Sequence, residues 1–351
     1  MPPQSPEDLD TLAVIDPEID AILKSGKFTL PKLDTSSVEA GIKQLRNLET
    51  LFPPPPPTPE VAESIHEFTA RDGFRLVYHV FQPATSPTQG ARRPLLIYWH
   101  GGGGCMGNPY SVCTVARDLV VAHDMVVVSP QYRLAPEHPW PTGMNDAWDA
   151  FVHVSTTASS LTLGADVSAG LLLGGVSQGT RLSSLVALQA KGAIAATTPQ
   201  PQLPRVTGLY FDAPSFMTPD NVPEEYRSQY RSRHDERCLT APVLDADTKA
   251  LFDRAFQADQ TSPLYVALNT MPLSKHAGVA DRAYFSVCGM DILRDDGLIY
   301  ADILEKTGVE TRVTMYPGTP HVFWSIFRMT TRAQKWKQDK TDGVKWLLGR
   351  E

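Results

Sequence analysis

The sequence predicts an α/β fold: a mostly parallel central sheet with helices on both faces. Three observations carry that expectation. Short apolar runs alternate with helix-like stretches from about residue 61 onward. The most apolar run, Leu171-Leu172-Leu173, passes directly into Gly174-Gly175-Val176-Ser177-Gln178-Gly179 and then into a helical pattern over Thr180–Leu188. Two late runs, Ala283–Cys288 and Thr311–Tyr316, bracket a helical stretch from about Leu293 to Thr307, the pattern of a strand–helix–strand unit.

In chain order, residues 1–52 read as helical and amphipathic. Ile19, Ile22 and Leu23 recur at helical spacing, as do Val38, Ile42 and Leu45. The five prolines Pro53–Pro57, with another at Pro59, predict a stiff polyproline spacer. Ser64–Gln82 reads as two strands around an Asp72-Gly73 turn. Pro94–Trp99 is a buried strand running into His100-Gly101-Gly102-Gly103-Gly104. A helix over about Ser111–Ala122, a strand at Met125–Ser129, a proline-punctuated loop at Tyr132–Pro141 and a helix over Met144–Ser155 lead to the glycine–serine corner. Beyond it come a strand at Val206–Phe211, a polar Asp212–Ala267 insertion without strand signal, the late strand–helix–strand unit and a helix over about Thr330–Leu348. The expected organisation is an N-terminal cap segment and linker (1–60), a core in two parts (61–211 and 268–351) and a cap insertion (212–267).

Composition narrows the functional classes. The chain has 351 residues, 42% hydrophobic and 20% charged, as expected of a globular protein able to build a core without disulfides or metal. A formal net charge of −7 with no basic stripe argues against nucleic acid as a partner. Cys105, Cys113, Cys238 and Cys288 have no zinc or Cys-x-x-Cys spacing and read as free thiols. No apolar run reaches a membrane span, and Met1–Asp10 lacks the basic-then-apolar pattern of a leader, so a cytoplasmic location is expected. A homodimer stays open.

The chemistry begins at Ser177. A serine two residues from a glycine on either side, at a strand-to-helix corner, has the pattern of a nucleophile elbow. There a tight turn strains the serine backbone and lifts its hydroxyl clear of the sheet. Composition alone yields such a pattern by chance roughly 0.1 times in a chain this long, so the remaining residues must decide. A serine hydroxyl needs a base to take its proton, and the base needs an orienting acid. The strand Ala283–Cys288 ends in Gly289-Met290-Asp291, and the strand Thr311–Tyr316 ends in Pro317-Gly318-Thr319-Pro320-His321. Asp291 and His321 thus follow Ser177 in the order serine, acid, histidine, at the edge where open α/β sheets bind ligands. Asp295 and Asp296 compete with Asp291 but read as charge partners of a helix N-terminus. His234 and His276 precede the acid. Gly102 and Gly103 offer unobstructed N–H groups, and the N–H of Gln178 follows the serine; together they are the expected oxyanion hole.

With these motifs in place, the chain resembles the hormone-sensitive-lipase-like (fold-3) branch of the α/β-hydrolases. The resemblance rests on His100-Gly101-Gly102-Gly103, the Tyr132–Pro141 loop (YRLAPEHPWP), Gly175–Gly179, Ser262-Pro263-Leu264, Asp291–Gly297 (DILRDDG) and His321-Val322-Phe323. It covers about residues 65–325. It implies an α/β-hydrolase fold with a helical cap and carboxylic ester hydrolysis of a small-molecule ester, with no metal and no organic cofactor. The family usually carries Asp before the serine and Ala-Gly-Gly after it. Here Val176 precedes and Gln178-Gly179-Thr180 follows, a departure that bears on substrate choice. Arg133 and Glu137 are expected to hold their loop by ion pairs, and Tyr132 and Trp140 to pack. Two other outcomes remain open: a natural-product tailoring enzyme performing acyl transfer, cyclisation or elimination with the same residues, and a small-molecule receptor without turnover. The intact serine, acid and histidine argue against the receptor.

Overall fold

The computed structural model describes residues 6–26, 31, 33–51, 53–85, 92–158, 163–192, 194 and 202–350. Of the stretches read above, residues 1–5, 27–30, 32, 52, 86–91, 159–162, 193, 195–201 and 351 lie outside them. The strands are β1 (Val61–Thr69), β2 (Arg75–Pro83), β3 (Leu95–Trp99), β4 (Val126–Pro130), β5 (Leu171–Val176), β6 (Gly208–Asp212), β7 (Arg282–Cys288) and β8 (Glu310–Tyr316). They form one 8-stranded sheet in the order β1-β2-β4-β3-β5-β6-β7-β8. The β1–β2 and β2–β4 pairings are antiparallel; the rest are parallel. The hairpin turns at Asp72-Gly73, where Gly73 takes φ +86° and the Asp72 carboxylate accepts the Phe74 N–H at 3.1 Å.

The helices are α1 (Pro6–Leu12), α2 (Pro17–Lys24), α3 (Val38–Glu49), α4 (Cys113–His123), α5 (Thr142–Thr157), α6 (Gln178–Ala190), α7 (Glu236–Leu239), α8 (Ala246–Phe256), α9 (Arg294–Lys306), α10 (Phe323–Ile326) and α11 (Thr331–Leu347). Period-2 alternation divides the central strands between two cores. Leu95, Ile97, Trp99, Leu171, Leu173, Leu209 and Phe211 face a cluster shared with α5, α6 and α9. Leu96, Tyr98, Val127, Leu172 and Tyr210 face one shared with α4 and α11. Both faces are covered, which is why these strands read as continuous apolar runs. The buried α6 carries serines without cost in unmet hydrogen bonds: Ser183 and Ser184 donate to the carbonyls of Thr180 and Arg181.

The N-terminal periodicity is realised in two places. Ile19 of α2 packs beside Tyr316, Phe323, Phe327 and Trp336 at the far end of the chain. Ile42 of α3 packs against Leu251, Ala255 and Phe256 of α8, which lies in the insertion. The proline run, expected as a stiff spacer, is docked on the core. Prolines lack N–H groups but keep their carbonyls, and the buried Arg117 of α4 donates to those of Pro55 (2.8 Å) and Pro56 (3.2 Å). The same guanidinium pairs with Glu63 of β1 at 2.6 Å. The Tyr132–Pro141 loop is held by ion pairs as expected, with partners outside it. Arg133 bonds Asp146 and Asp72, each at 2.7 Å, and Glu137 takes both Arg46 of α3 and the pull of that contact, which drops its carboxyl to about 2.

Arg117→Met strips the proline carbonyls and Glu63 of a buried partner. It is expected to cost about 3 kcal/mol in urea unfolding and to make residues 53–60 newly sensitive to limited proteolysis.

Candidate active site

Ser177 sits between β5 and α6 with φ +54° and ψ −116°, a conformation that side-chain-bearing residues rarely adopt. Sterics demand its neighbours. A Cβ on Gly175 would lie 2.4 Å from the Gly179 carbonyl carbon, and one on Gly179 would lie 2.1 Å from the Trp99 carbonyl oxygen. The corner is pinned to the sheet, because the Ser177 N–H donates to the Asp212 carbonyl at 2.9 Å. Thr180 closes the turn, donating from both N–H (2.9 Å) and hydroxyl (2.7 Å) to the Ser177 carbonyl.

The structure brings the three expected side chains together. His321 Nε2 lies 2.9 Å from Ser177 Oγ, and His321 Nδ1 lies 2.7 Å from Asp291 Oδ2. An ionised carboxylate only accepts, so Nδ1 carries the ring proton and leaves the Nε2 lone pair for the serine hydroxyl. Ser177, Asp291 and His321 are 9%, 1% and 6% exposed, shielding the chain of bonds from water. Asp291 is aimed by the Leu293 N–H, which donates to its Oδ1 at 2.9 Å. The two late loops are laced together, with the Met290 N–H donating to the Thr319 carbonyl at 2.9 Å. The competitors are engaged elsewhere. Asp295 pairs with Arg294 at 2.7 Å, and Asp296 accepts the N–H groups of Phe216 and Met217. His276 is buried between Tyr300 and the Thr270 carbonyl.

The glycine loop bends beside the serine. Gly102, Gly103 and Gly104 take φ of +98°, +62° and +75°. Tyr132, expected to pack, stacks on His100 with ring centres 4.3 Å apart and donates toward the His100 and Gly101 carbonyls. Burial pushes His100 down to about 4, so it is neutral and can give Nδ1–H to the Gly101 carbonyl at 2.8 Å. The N–H groups of Gly102, Gly103 and Gln178 have no acceptor among the described residues, and all three residues line one cavity with Ser177 and His321. That is the arrangement needed for donors awaiting a developing oxyanion.

The cavity measures about 1050 Å³. Its wall draws on α3, the proline run, the glycine loop, α8 and α10. Several of its residues have no motif to announce them: Arg181 of α6, Lys249 and Phe252 of α8, and Trp324 of α10. The N-terminal segment lines it through Leu23, Pro31, Leu33 and Thr35, and it also grips the histidine loop by backbone. The Gly318 N–H donates to the Leu12 carbonyl at 2.7 Å, and the Asp16 N–H donates to the Gly318 carbonyl at 2.9 Å. Such contacts carry no side-chain signature.

Against this geometry, comparison with known proteins is informative. A family model described as the alpha/beta hydrolase fold matches residues 96–325. An AB hydrolase superfamily protein of Schizosaccharomyces pombe is 31% identical over 341 residues, covering 95% of this chain and 94% of its own. Carboxylesterase NlhH of Mycobacterium tuberculosis is 32% identical over 321 residues, covering 87% of this chain and 88% of its own. The crystal structure of vibralactone cyclase superposes with a TM-score of 0.81 at 28% identity, covering 100% of this chain and 98% of that one.

Gly179→Ala forces a methyl into the Trp99 carbonyl. The expected loss is about 4 kcal/mol or more of unfolding free energy, read by chemical denaturation. Gly192→Ala, at a turn where a Cβ meets nothing within 4 Å, tests backbone strain alone and is expected to cost only about 1 kcal/mol.

Proposed function

This chain belongs to the hormone-sensitive-lipase-like family of the α/β-hydrolases, and from that premise we propose that it is a serine carboxylic ester hydrolase working through Ser177, His321 and Asp291. The observation that carries the reading is the unbroken run of hydrogen bonds from Ser177 Oγ through both His321 nitrogens to Asp291.

Ser177 Oγ attacks the ester carbonyl carbon while His321 Nε2 takes its proton. The imidazolium so formed is stabilised by Asp291 across 2.7 Å. The carbonyl oxygen becomes an oxyanion, received by the N–H groups of Gly102, Gly103 and Gln178. Collapse breaks the ester C–O bond, and His321 returns the proton to the departing alkoxide. Water then attacks the acyl-serine by the same route in reverse, releasing the acid and the free serine.

The insertion and the N-terminal helices act as a cap in this reading. Support comes from α3 packing on α8, both of which supply residues to the cavity wall. The match to vibralactone cyclase favours a second reading. There the acyl-serine is resolved by a hydroxyl within the substrate instead of water, giving a lactone.

Ser177→Ala should lower kcat/KM on 4-nitrophenyl butyrate by about 10⁴-fold or more with unchanged circular dichroism; retained turnover would remove the nucleophile. A fluorophosphonate should label Ser177 alone in intact protein, by peptide mapping. Labelling without hydrolysis of any simple ester would favour the lactone-forming reading. Removing residues 1–52 should lower both the melting temperature and kcat, because the His321 loop loses its grip at Gly318; an enzyme unchanged in both would show these residues to be dispensable to the site.

A further inference from the structure

The cavity wall beside Ser177 holds buried donors that lack acceptors. Gln178 and Arg181 are each 4% exposed and both line the cavity. Among the described residues, Gln178 Nε2 and Arg181 Nε meet no hydrogen-bond partner. Arg181 is held in place on its other sides: Nη2 donates to Ser215 Oγ at 2.9 Å, and the guanidinium lies over the Tyr265 ring at 4.8 Å. A buried donor left unpaired costs free energy that a ligand acceptor would restore.

Charge identifies the acceptor. Arg181 and Arg233 both act on Lys249 and on Asp296, and Asp253 acts on Lys249 and Arg233. Lys249 pairs with Asp253, and Arg233 approaches Asp296 only to 3.4 Å. The cavity's other carboxylates, Glu49, Asp245 and Asp247, and Asp295, which pairs with Arg294, are not ion-pair partners of Arg181 among the described residues. Arg181 is therefore a buried cation whose hydrogen-bonded side-chain partner is the neutral Ser215 hydroxyl and not a carboxylate. Burial brings the Lys249 ammonium down to about 8; Asp253 opposes that shift, and Arg233 and Arg181 add smaller contributions to it. A neutral carbonyl would satisfy the donor but not the charge; a carboxylate would do both.

Resting on the esterase reading, we propose that the ester accepted by this site carries a free carboxylate, bound by Arg181 and the Gln178 amide. Arg181 stands four positions after Ser177, about 6 Å of helical rise. The carboxylate and the reacting carbonyl are thus a few bonds apart, as in a half-ester of a short dicarboxylic acid or an ester of a hydroxy acid. The Gln178 side chain, at the position where the family usually has alanine, supplies the amide without disturbing its own backbone N–H.

The test compares three 4-nitrophenyl esters of matched length: the adipate half-ester, its neutral adipamate counterpart and hexanoate. A second set, 4-acetoxybenzoate against 4-acetoxybenzamide, places the carboxylate on the alcohol side. In at least one set the acid should be preferred by about 10- to 100-fold in kcat/KM. Arg181→Met, and independently Gln178→Met, should bring that ratio to within about threefold of one, the second variant covering the case in which the first fails to fold. A readout without turnover accompanies these: millimolar adipate, and not adipamide, should raise the melting temperature of the wild type and not of Gln178→Met. Cleavage of hexanoate with no acid preference in either set overturns the carboxylate site and leaves the esterase standing. Absence of all ester cleavage sinks the esterase instead, and then the melting shift alone decides: no shift with adipate overturns the carboxylate site as well.

Discussion

A backbone contact governs this molecule. The Cα of Gly179 comes so near the Trp99 carbonyl that no other residue fits there, and this approach of α6 to β3 bends the chain through Ser177 at φ +54°. Strain of this kind survives only where surrounding structure over-determines it. Here the bond from the Ser177 N–H to the Asp212 carbonyl and the double donation of Thr180 back to Ser177 do so. Residues of α6 from Gln178 through Gln189 are buried, so the helix cannot drift outward to relieve the squeeze. The serine hydroxyl is exposed to the cavity because its backbone has nowhere else to go.

Parallel pairing does the rest of the positioning. Because β6, β7 and β8 run in step, from Gly208–Arg282–Glu310 at one end to Cys288–Tyr316 at the other, the loops that follow β7 and β8 leave the same edge of the sheet. Asp291 lies three residues beyond Cys288, and His321 five beyond Tyr316. Neither loop stands alone. They bond to each other at Met290–Thr319, and the N-terminal segment bonds to Gly318 from outside. A histidine that must reach a carboxylate on one side and a hydroxyl on the other tolerates little play. The bonds from Leu12 and Asp16 to Gly318 limit that play.

The legible parts of the sequence were those whose physics is local or ordinal. Strands buried on both faces read as apolar runs, and all eight lie within a few residues of expectation. Ser177, Asp291 and His321 were readable from chain order and strand ends, and the close-packed glycines from the elbow pattern. What escaped was long-range or unsigned. The grip of Leu12 and Asp16 on Gly318 passes through backbone atoms, and the docking of Pro55 and Pro56 through carbonyls that every residue has. Arg181 and Lys249 sit in segments where a cation ordinarily means a solvated face. Only the fold shows that they are turned inward. The short α10 follows a left-handed Val322 at φ +46°, a conformation that a β-branched residue does not announce.

The glycine loop ties these themes together. A side chain on Gly103 would run into the Phe252 ring at 2.4 Å, and one on Gly104 into the Phe256 ring at 2.6 Å. Both rings belong to α8, and α8 is backed by Ile42 of α3. From the same helix α3, Arg46 reaches across to the Cys105 carbonyl at 2.8 Å and the Ala135 carbonyl at 3.0 Å. The glycine loop is therefore fixed from two directions: by His100 and Tyr132 below, and by α8 and α3 above. Any motion of α8 that widens the cavity for a larger substrate also loosens the packing on Gly103 and Gly104. Under the proposed esterase reading, substrate admission and oxyanion stabilisation would be coupled through these two phenylalanine rings, so the elements that choose the substrate could not be exchanged without touching the ones that stabilise its transition state.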